Sequence, residues 1–493
     1  MGKVFFRLRE HELMRILAVT GRLAEKDVRR AVKGYDCDVY VTNVDVAAFI
    51  TPSHLKDIDL NGYDLVLVPG LARGDWEKLE RERGVKIRLG PIHAADLAMV
   101  LRNIDRIELS HETPACRLLN AVMAEENISA VDGIEDYAFE IGSIKVGRNS
   151  RMKVVAEIVD APVLSRDELI QRIEYYLESG ADIVDIGIPL ECDVDSAVKS
   201  VKVALDYCNA VSVDTFSEKI IEACVKAGVH MVMSVGGENI RALEKIGNAA
   251  VVVVERDVGK LVKLVEFAKK HTEKVIADCI LDAPLKTAES IMRYIHFRQL
   301  DAETPLLFGV GNVTELSDAD SIGMNALLAF MAEEIGVDLL FTTEASPKTR
   351  GCIRELRVAS YMAKAAKLRR TPPKDLGFNL LALKEKVIYE TCKPENAVEA
   401  KPGRFERDPM GDFRIWIYNG KVVCSHEKLT VVGDAKSIAD TVIAKGLVSR
   451  LDHAAYLGRE LKKAEIAAML GKNYVQDAEL NFGIYTNANQ AHP

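Results

Sequence analysis

One pattern recurs about eight times between residues 153 and 370: a short run rich in Val, Ile and Leu, a polar turn, then a helical stretch. The runs fall at 153–159, 182–188, 210–214, 230–235, 249–254, 274–278, 306–310 and 337–341. Runs that stay apolar instead of alternating suit parallel strands buried on both faces. Helix signals lie between them. Ser165 and Glu168 have capping-box spacing, so each can satisfy a free amide at a helix start. Gly180, Gly228, Gly247 and Gly336 stand where helices should end, the position a left-handed cap takes. After the eighth run, 349–369 reads as a last helix, stopped by Pro372-Pro373. A doubly wound open sheet would show a crossover break. Eight uninterrupted units favour closure into a (β/α)8 TIM barrel.

On either side the pattern changes. Before the barrel, strand-like runs at 15–21, 38–42, 63–69 and 85–89 alternate with helical patterns at 24–32, 75–83 and 94–101, which argues for a small parallel sheet. Residues 138–148 turn β-like, as an edge hairpin or a linker. After it, 413–418 and 421–425 flank Asn419-Gly420, a type I′ hairpin signal. Residues 429–432 follow as a strand, then helices at 435–445 and 448–470. The expected fold class is α/β. It comprises a TIM barrel over 151–371, an N-terminal parallel α/β domain of flavodoxin or Rossmann type over 1–150, and a small α+β domain over 372–493.

Strand-end loops of the N-terminal sheet hold Thr20-Gly21-Arg22, Pro69-Gly70, Arg73-Gly74-Asp75, and Gly90-Pro91 with His93. None forms a GxGxxG or P-loop fingerprint, so turn-shaping is the simplest role for these glycines. The net charge of −9 argues against a nucleic-acid surface. No apolar run nears the roughly 18 residues of a membrane span. The start of the chain, 1–15, is charged and lacks a signal-peptide core. Nine cysteines stand singly, without a CxxC pair. They point to reduced thiols in a cytoplasm and away from a zinc site.

Active sites of such barrels lie at the C-terminal ends of the strands. Those ends supply Glu157 and Asp160, Gly187, Asp214-Thr215, Ser234 with Gly236-Gly237, Asp278, Gly311-Asn312, and Thr342-Thr343-Glu344. Carboxylates converging on one mouth repel unless a cation, a proton or a donor ligand offsets them. A flat amino-pterin ring is such a ligand, because its ring N–H and exocyclic amine can donate two parallel bonds to one carboxylate. Any single Asp here could instead cap the following helix; Asp214 and Asp278 together argue for more.

The segments Gly180-Ala-Asp-Ile-Val-Asp-Ile-Gly187, Val211-Ser-Val-Asp-Thr215 and Ala227-Gly228 resemble the second and third strands of dihydropteroate synthases. The whole chain resembles archaeal dihydropteroate synthase-related proteins, in which the barrel sits between accessory domains. The wider pterin-binding family includes methyltetrahydropterin:corrinoid methyltransferases. The resemblance implies that Asp214 and Asp278 hold the pterin ring, with Asp185, Ser234 and Asn312 beside it. It places Glu157 where the synthases use an Asn that helps hold Mg2+. A carboxylate there suits Mg2+, which prefers hard oxygen ligands.

The departures are as informative. The strand-four Asn is replaced near Met233-Ser234. The strand-seven Lys is missing from 308–313, which looks more like the methyltransferase turn. Thr342-Thr343-Glu344 stands in place of a strand-eight Arg/His pair. Lys348 and Arg350 lie just beyond as substitute catalytic cations, at the start of a helix whose N-terminus is itself a phosphate site. The activity implied is condensation of 6-hydroxymethyl-dihydropterin diphosphate with an arylamine, in methanopterin biosynthesis a ribosylated aminobenzene phosphate. Two alternatives stay open: methyl transfer from a methyl-tetrahydropterin to a corrinoid protein, and a pterin carrier that does not catalyse. His453 is a conceivable corrinoid ligand, and the analogy with other barrels of the family implies a homodimer.

Overall fold

The structure, a computed structural model, describes residues 14–386, 397–401, 403–404 and 406–483. The charged stretch 1–13 and part of the polar segment after the barrel lie outside them. The chain divides into two compact units, Met1–Cys392 and Lys393–Pro493.

The first unit opens with a four-stranded parallel sheet in the order Cys37–Val41, Ile16–Thr20, Leu65–Val68, Lys86–Leu89. Both faces are covered, one around Leu17, Val66, Val68 and Trp76, the other around Ile16, Ala18, Val28 and Leu97. The glycines of its strand-end loops allow backbones to meet. A Cβ on Gly70 would stand 2.7 Å from the Gly90 carbonyl oxygen. A long helix, Ala115–Asp132, then leads to the barrel. Its apolar positions are interrupted by Asn120, Glu125 and Glu126, and the sequence reading missed it.

The barrel strands are Lys153–Ile158, Ile183–Gly187, Val211–Asp214, Met231–Val235, Ala250–Val254, Val275–Asp278, Leu307–Gly309 and Leu339–Thr343, first to eighth. All pair in parallel, and the eighth pairs with the first. A bridge from Ala277 to Leu306 joins the sixth strand to the segment entering the seventh. The ring is closed, and the open-sheet alternative falls. The capping box at Ser165 and Glu168 is present, and Gly180, Gly228 and Gly336 take left-handed φ at helix ends as expected. After the fourth strand, however, the connection is a short 3-10 helix, Ile240–Lys245.

The interior is filled by Val155, Ile183, Ala210, Met231, Met233, Ala250, Val252, Ile276, Leu307 and Leu339. The β-like stretch before the barrel is a hairpin, Phe139–Ile141 with Ile144–Val146. It is neither a sheet edge nor a linker: Ile141 and Val146 are fully buried in that interior cluster. One end is therefore plugged, and chemistry is confined to the other.

In the second unit, Arg414–Tyr418, Lys421–His426 and Leu429–Gly433 form an antiparallel sheet beside the helices Ala435–Ala444 and Leu451–Leu470. Asn419 and Gly420 both take positive φ, 47° and 71°, as a type I′ turn requires. His453 directs Nδ1 to Asp408, 3.1 Å away, where Asp408 also accepts from Ser449, Arg450 and Met410. No helix among the described residues is long and apolar enough to cross a membrane.

Candidate active site

Parallel pairing sets Glu157 beside Asp185 and Asp185 beside Ser212, with Gly187 beside Asp214 one step higher. Val155, Ile183 and Ala210 face the interior, so the two-residue period of a strand aims Glu157, Asp185 and Asp214 inward too. In the sixth strand Ile276 is inward, which brings Asp278 to the same mouth. Two of these positions depend on an absent side chain. A Cβ on Gly187 would come within 2.5 Å of Glu157 Oε1, and inward-facing Gly309 leaves the seventh strand without a side chain at the rim.

Glu157, Asp185 and Asp214 each offer an oxygen within 4.8 Å of the other two. Burial pushes the Glu157 carboxyl up to about 7, and the charges of Asp214, Glu315 and Asp160 add to it. Burial also raises Asp185 and Asp214; the Asp214 and Glu157 charges add to the first, and a hydrogen bond from Ser234 works against the second. Ser212 Oγ donates to Asp185 Oδ1 at 2.5 Å, while Asp185 Oδ2 is buried without a partner. Asp185, expected beside the ring, is wholly buried at the base of the mouth, next to Glu157 and Asp214. Three acids with so little compensation hold protons or a hard cation. Mg2+ fits the donor set, which is all carboxylate oxygen at a spacing a divalent ion can bridge.

Asp278 is built differently. Its Oδ1 accepts from Tyr294 Oη at 2.6 Å and from the Ile280 amide at 2.7 Å. Burial nonetheless lifts it to about 6, against those two bonds and the Arg293 charge, with the Asp214 charge adding least. Arg293, whose charge reaches Asp278, hydrogen-bonds instead to the carbonyls of Cys279 and Ile280 and to Asp282, so no hydrogen bond from a base covers the Asp278 carboxylate. Ligand binding through this carboxylate should weaken about tenfold per pH unit below about 6, because a proton must first leave. Tyr294→Phe removes a bond that favours the charged form, so the midpoint of a pH-dependent pterin titration should move upward.

Ser234 has a positive φ of 61° and lies near enough to Asp214 to hold its carboxyl down against the effect of burial. Asn239, buried in the next loop, braces this bend by accepting from the Gly236 amide at 2.8 Å. Asn312 stands at the rim and donates to the Leu281 carbonyl at 2.8 Å, joining the loops after the sixth and seventh strands.

The expected catalytic cations lie farther out. Lys348 is exposed and paired with Asp318 at 2.9 Å, and Arg350 is exposed. Neither opens the last helix, which starts at Cys352. Its N-terminus is not a vacant phosphate site. Glu344 Oε1 accepts from the Ile353 amide at 3.0 Å, and Oε2 accepts from Tyr175 Oη at 2.7 Å. A buried carboxylate of the chain itself fills the place an anion would take. Sequence reading missed Tyr294, Asn239 and Glu315. The first lies 16 positions beyond the Asp it touches, and no spacing rule links them.

Gly187→Ala tests how the glycine shapes this floor. The Glu157 carboxylate should be displaced and half-saturation by Mg2+ weakened about tenfold or more, an effect the size of other losses around a ligand shell. A calorimetric titration with Mg2+ would measure it.

Residues 158–281 match the family described as Pterin binding enzyme. Residues 14–92 match a family of unknown function, DUF6513, and 407–477 match PterinBD-DUF4346. Among solved structures, the chain is similar to dihydropteroate synthase of Yersinia pestis in a sulfonamide drug complex, with 16% identity over 47% of this chain and 99% of that one, TM-score 0.39. It is also similar to the synthase of Thermus thermophilus in complex with 4-aminobenzoate, with 20% identity over 44% and 95%, TM-score 0.36. Barrel and family match together define a pterin-binding (β/α)8 protein. Over 95% of its length the chain is 40% identical to an uncharacterized protein of Methanocaldococcus jannaschii, of which the match covers 99%. It belongs to that protein's family; in this chain the Pterin binding enzyme match lies in the barrel, with the DUF6513 match before it and the PterinBD-DUF4346 match after it.

Proposed function

We propose that this protein is a transferase acting on a reduced pterin held by Asp214 and Asp278, with a reaction of the dihydropteroate synthase type. The observation that carries this reading is the pair of acids on the third and sixth strands, both turned into one mouth and neither sealed by a base. The pterin substrate would carry a diphosphate on its 6-methylene carbon. The C–O bond breaks, diphosphate leaves with the electron pair, and an arylamine nitrogen bonds to the methylene and gives up a proton. Ribofuranosylaminobenzene phosphate is the nucleophile a methanopterin route would supply. Asp214 and Asp278 orient the ring, and Ser234 fixes the Asp214 carboxylate. Mg2+, held by Glu157 with Asp185 behind it, would supply the positive charge that a departing diphosphate needs. Lys348 and Arg350 would contribute from the rim.

Glu344 favours a second reading. With the last helix already capped by a carboxylate, that terminus is closed to a diphosphate, and methyl transfer from a methyl-tetrahydropterin expels none. Asn312 would then sit near the pterin N5, and a corrinoid protein would accept the methyl group.

One experiment separates them. Purified protein is incubated with the pterin diphosphate, an arylamine and Mg2+, and in parallel with methyl-tetrahydropterin and reduced corrinoid. A pterin–arylamine adduct supports the first reading, and a methyl–cobalt spectrum supports the second. Tight pterin binding with neither product would remove both and leave a carrier.

A further inference from the structure

At the plugged end, opposite the mouth, the barrel holds a basin of about 700 Å3 that none of the preceding chemistry uses. Its polar lining includes Lys274, His230, Asn209 and Asn248, and none of the residues lining it is acidic. Leu205 and Val225 form an apolar wall beside them.

The donor groups are free. Among the described residues, no hydrogen-bond partner engages the ammonium of Lys274 or the side-chain amides of Asn209 and Asn248. The His230 tautomer is set by the backbone. The Val211 amide donates to Nδ1 at 3.2 Å, so the neutral ring carries its proton on Nε2 and is a donor there. Burial and the Lys274 charge both favour that neutral ring. A cation, an N–H from a fixed tautomer and two amides around one hollow form a donor set for a tetrahedral oxyanion. The volume lies in the range of small-molecule sites and exceeds what a bare phosphate fills, while the Leu205 and Val225 wall can cover an apolar body.

We propose that this basin binds a small organic phosphate, with the phosphate on Lys274, His230 and the two amides and the apolar part against Leu205 and Val225. The site is separate from the pterin mouth. It stands at the beginnings of the third and fourth strands, and Asp214 and Ser234 lie at the far ends of those strands, roughly 13 Å or more of extended chain from Asn209 and His230. The proposal does not depend on which pterin reaction the mouth performs.

Phenyl phosphate, inorganic phosphate and phenol serve as probes in calorimetric titrations of the full chain. Phenyl phosphate should bind with a Kd below about 1 mM, and the other two at least about tenfold more weakly. Lys274→Gln should weaken phenyl phosphate about tenfold. Asn248→Asp, at an exposed position where folding is not at risk, should do the same by adding a negative charge. Asp214→Asn should bind it as the parent chain does. Equal binding of all three probes, no effect of either basin substitution, or loss of binding in Asp214→Asn would each overturn the proposal.

Discussion

Asp214→Asn and Asp278→Asn should each weaken pterin binding by about 100-fold or more, the scale of losing charge-assisted paired hydrogen bonds in a desolvated site. The substitutions are nearly isosteric, so shape is kept while the acceptor charge disappears. At 278 the amide oxygen can still accept from the Ile280 amide and the Tyr294 hydroxyl, which leaves the new N–H₂ facing a donor-rich ring. At 214 the consequences run in opposite directions for binding and for folding. The Asp214 charge is a cause of the raised Glu157, Asp185 and Asp278 carboxyls. Removing it relieves a repulsion the folded chain otherwise tolerates, so thermal stability should rise as binding falls. Such opposition marks an acid kept for a ligand and not for the fold. Fluorescence titration with a reduced pterin, beside a calorimetric melt, would measure both. Binding within about threefold of the parent chain, below about 1 kcal/mol, would end the pterin assignment.

The barrel was legible because its grammar is local. Apolar runs, the Ser165–Glu168 box and glycine caps each act within a few residues, and the structure realises them in register. The acids were legible for the same reason: a strand's two-residue period and its C-terminal end identify which side chains reach the mouth. What could not be read is whatever depends on a partner far along the chain. The depth of Asp185 follows from the packing of neighbouring strands, which the resemblance that set it beside the ring does not convey. Glu344 looked like a lost phosphate ligand until the Ile353 amide and the Tyr175 hydroxyl, the latter 169 positions away, were seen to claim it. The hairpin 139–146 is short and could pass for an edge; only the closed interior gives Ile141 and Val146 somewhere to go. The helix Ala115–Asp132 has the same cause. Its contacts are tertiary: Asn127 donates to the Leu376 carbonyl at 2.8 Å, and Asp132 accepts from Tyr361.

That tertiary layer has a centre, and breaking it should cause the largest loss of stability in the molecule. Asp182, at the entrance to the second strand, accepts from Arg151 at 2.6 Å, from Arg357 at 2.5 Å and from the Val154 amide at 2.8 Å. Arg151 is buried and also donates to Ser360 and to the Met152 carbonyl. Both guanidiniums lie over the Tyr361 ring, at 4.6 and 4.9 Å. The cluster clasps the first barrel strands to the last helix, where the ring must close. Burial pushes the Asp182 carboxyl up, but the Arg151 and Arg357 charges hold it below its ordinary value. Its contribution is therefore complete above about pH 4 and is lost only as the pH falls below that.

Asp182→Ala strands buried Arg151 without its paired carboxylate, at a cost of about 3–5 kcal/mol. In a melt this corresponds to a fall of about 10 °C. Because the penalty comes from the stranded charge and not from the lost pair, Arg151→Met with Asp182→Leu should recover more than half of it, with Arg357 free to turn toward solvent. Should the double variant melt lower than Asp182→Ala, the cluster would owe its strength to direct attraction and geometry, and the desolvation argument would be wrong.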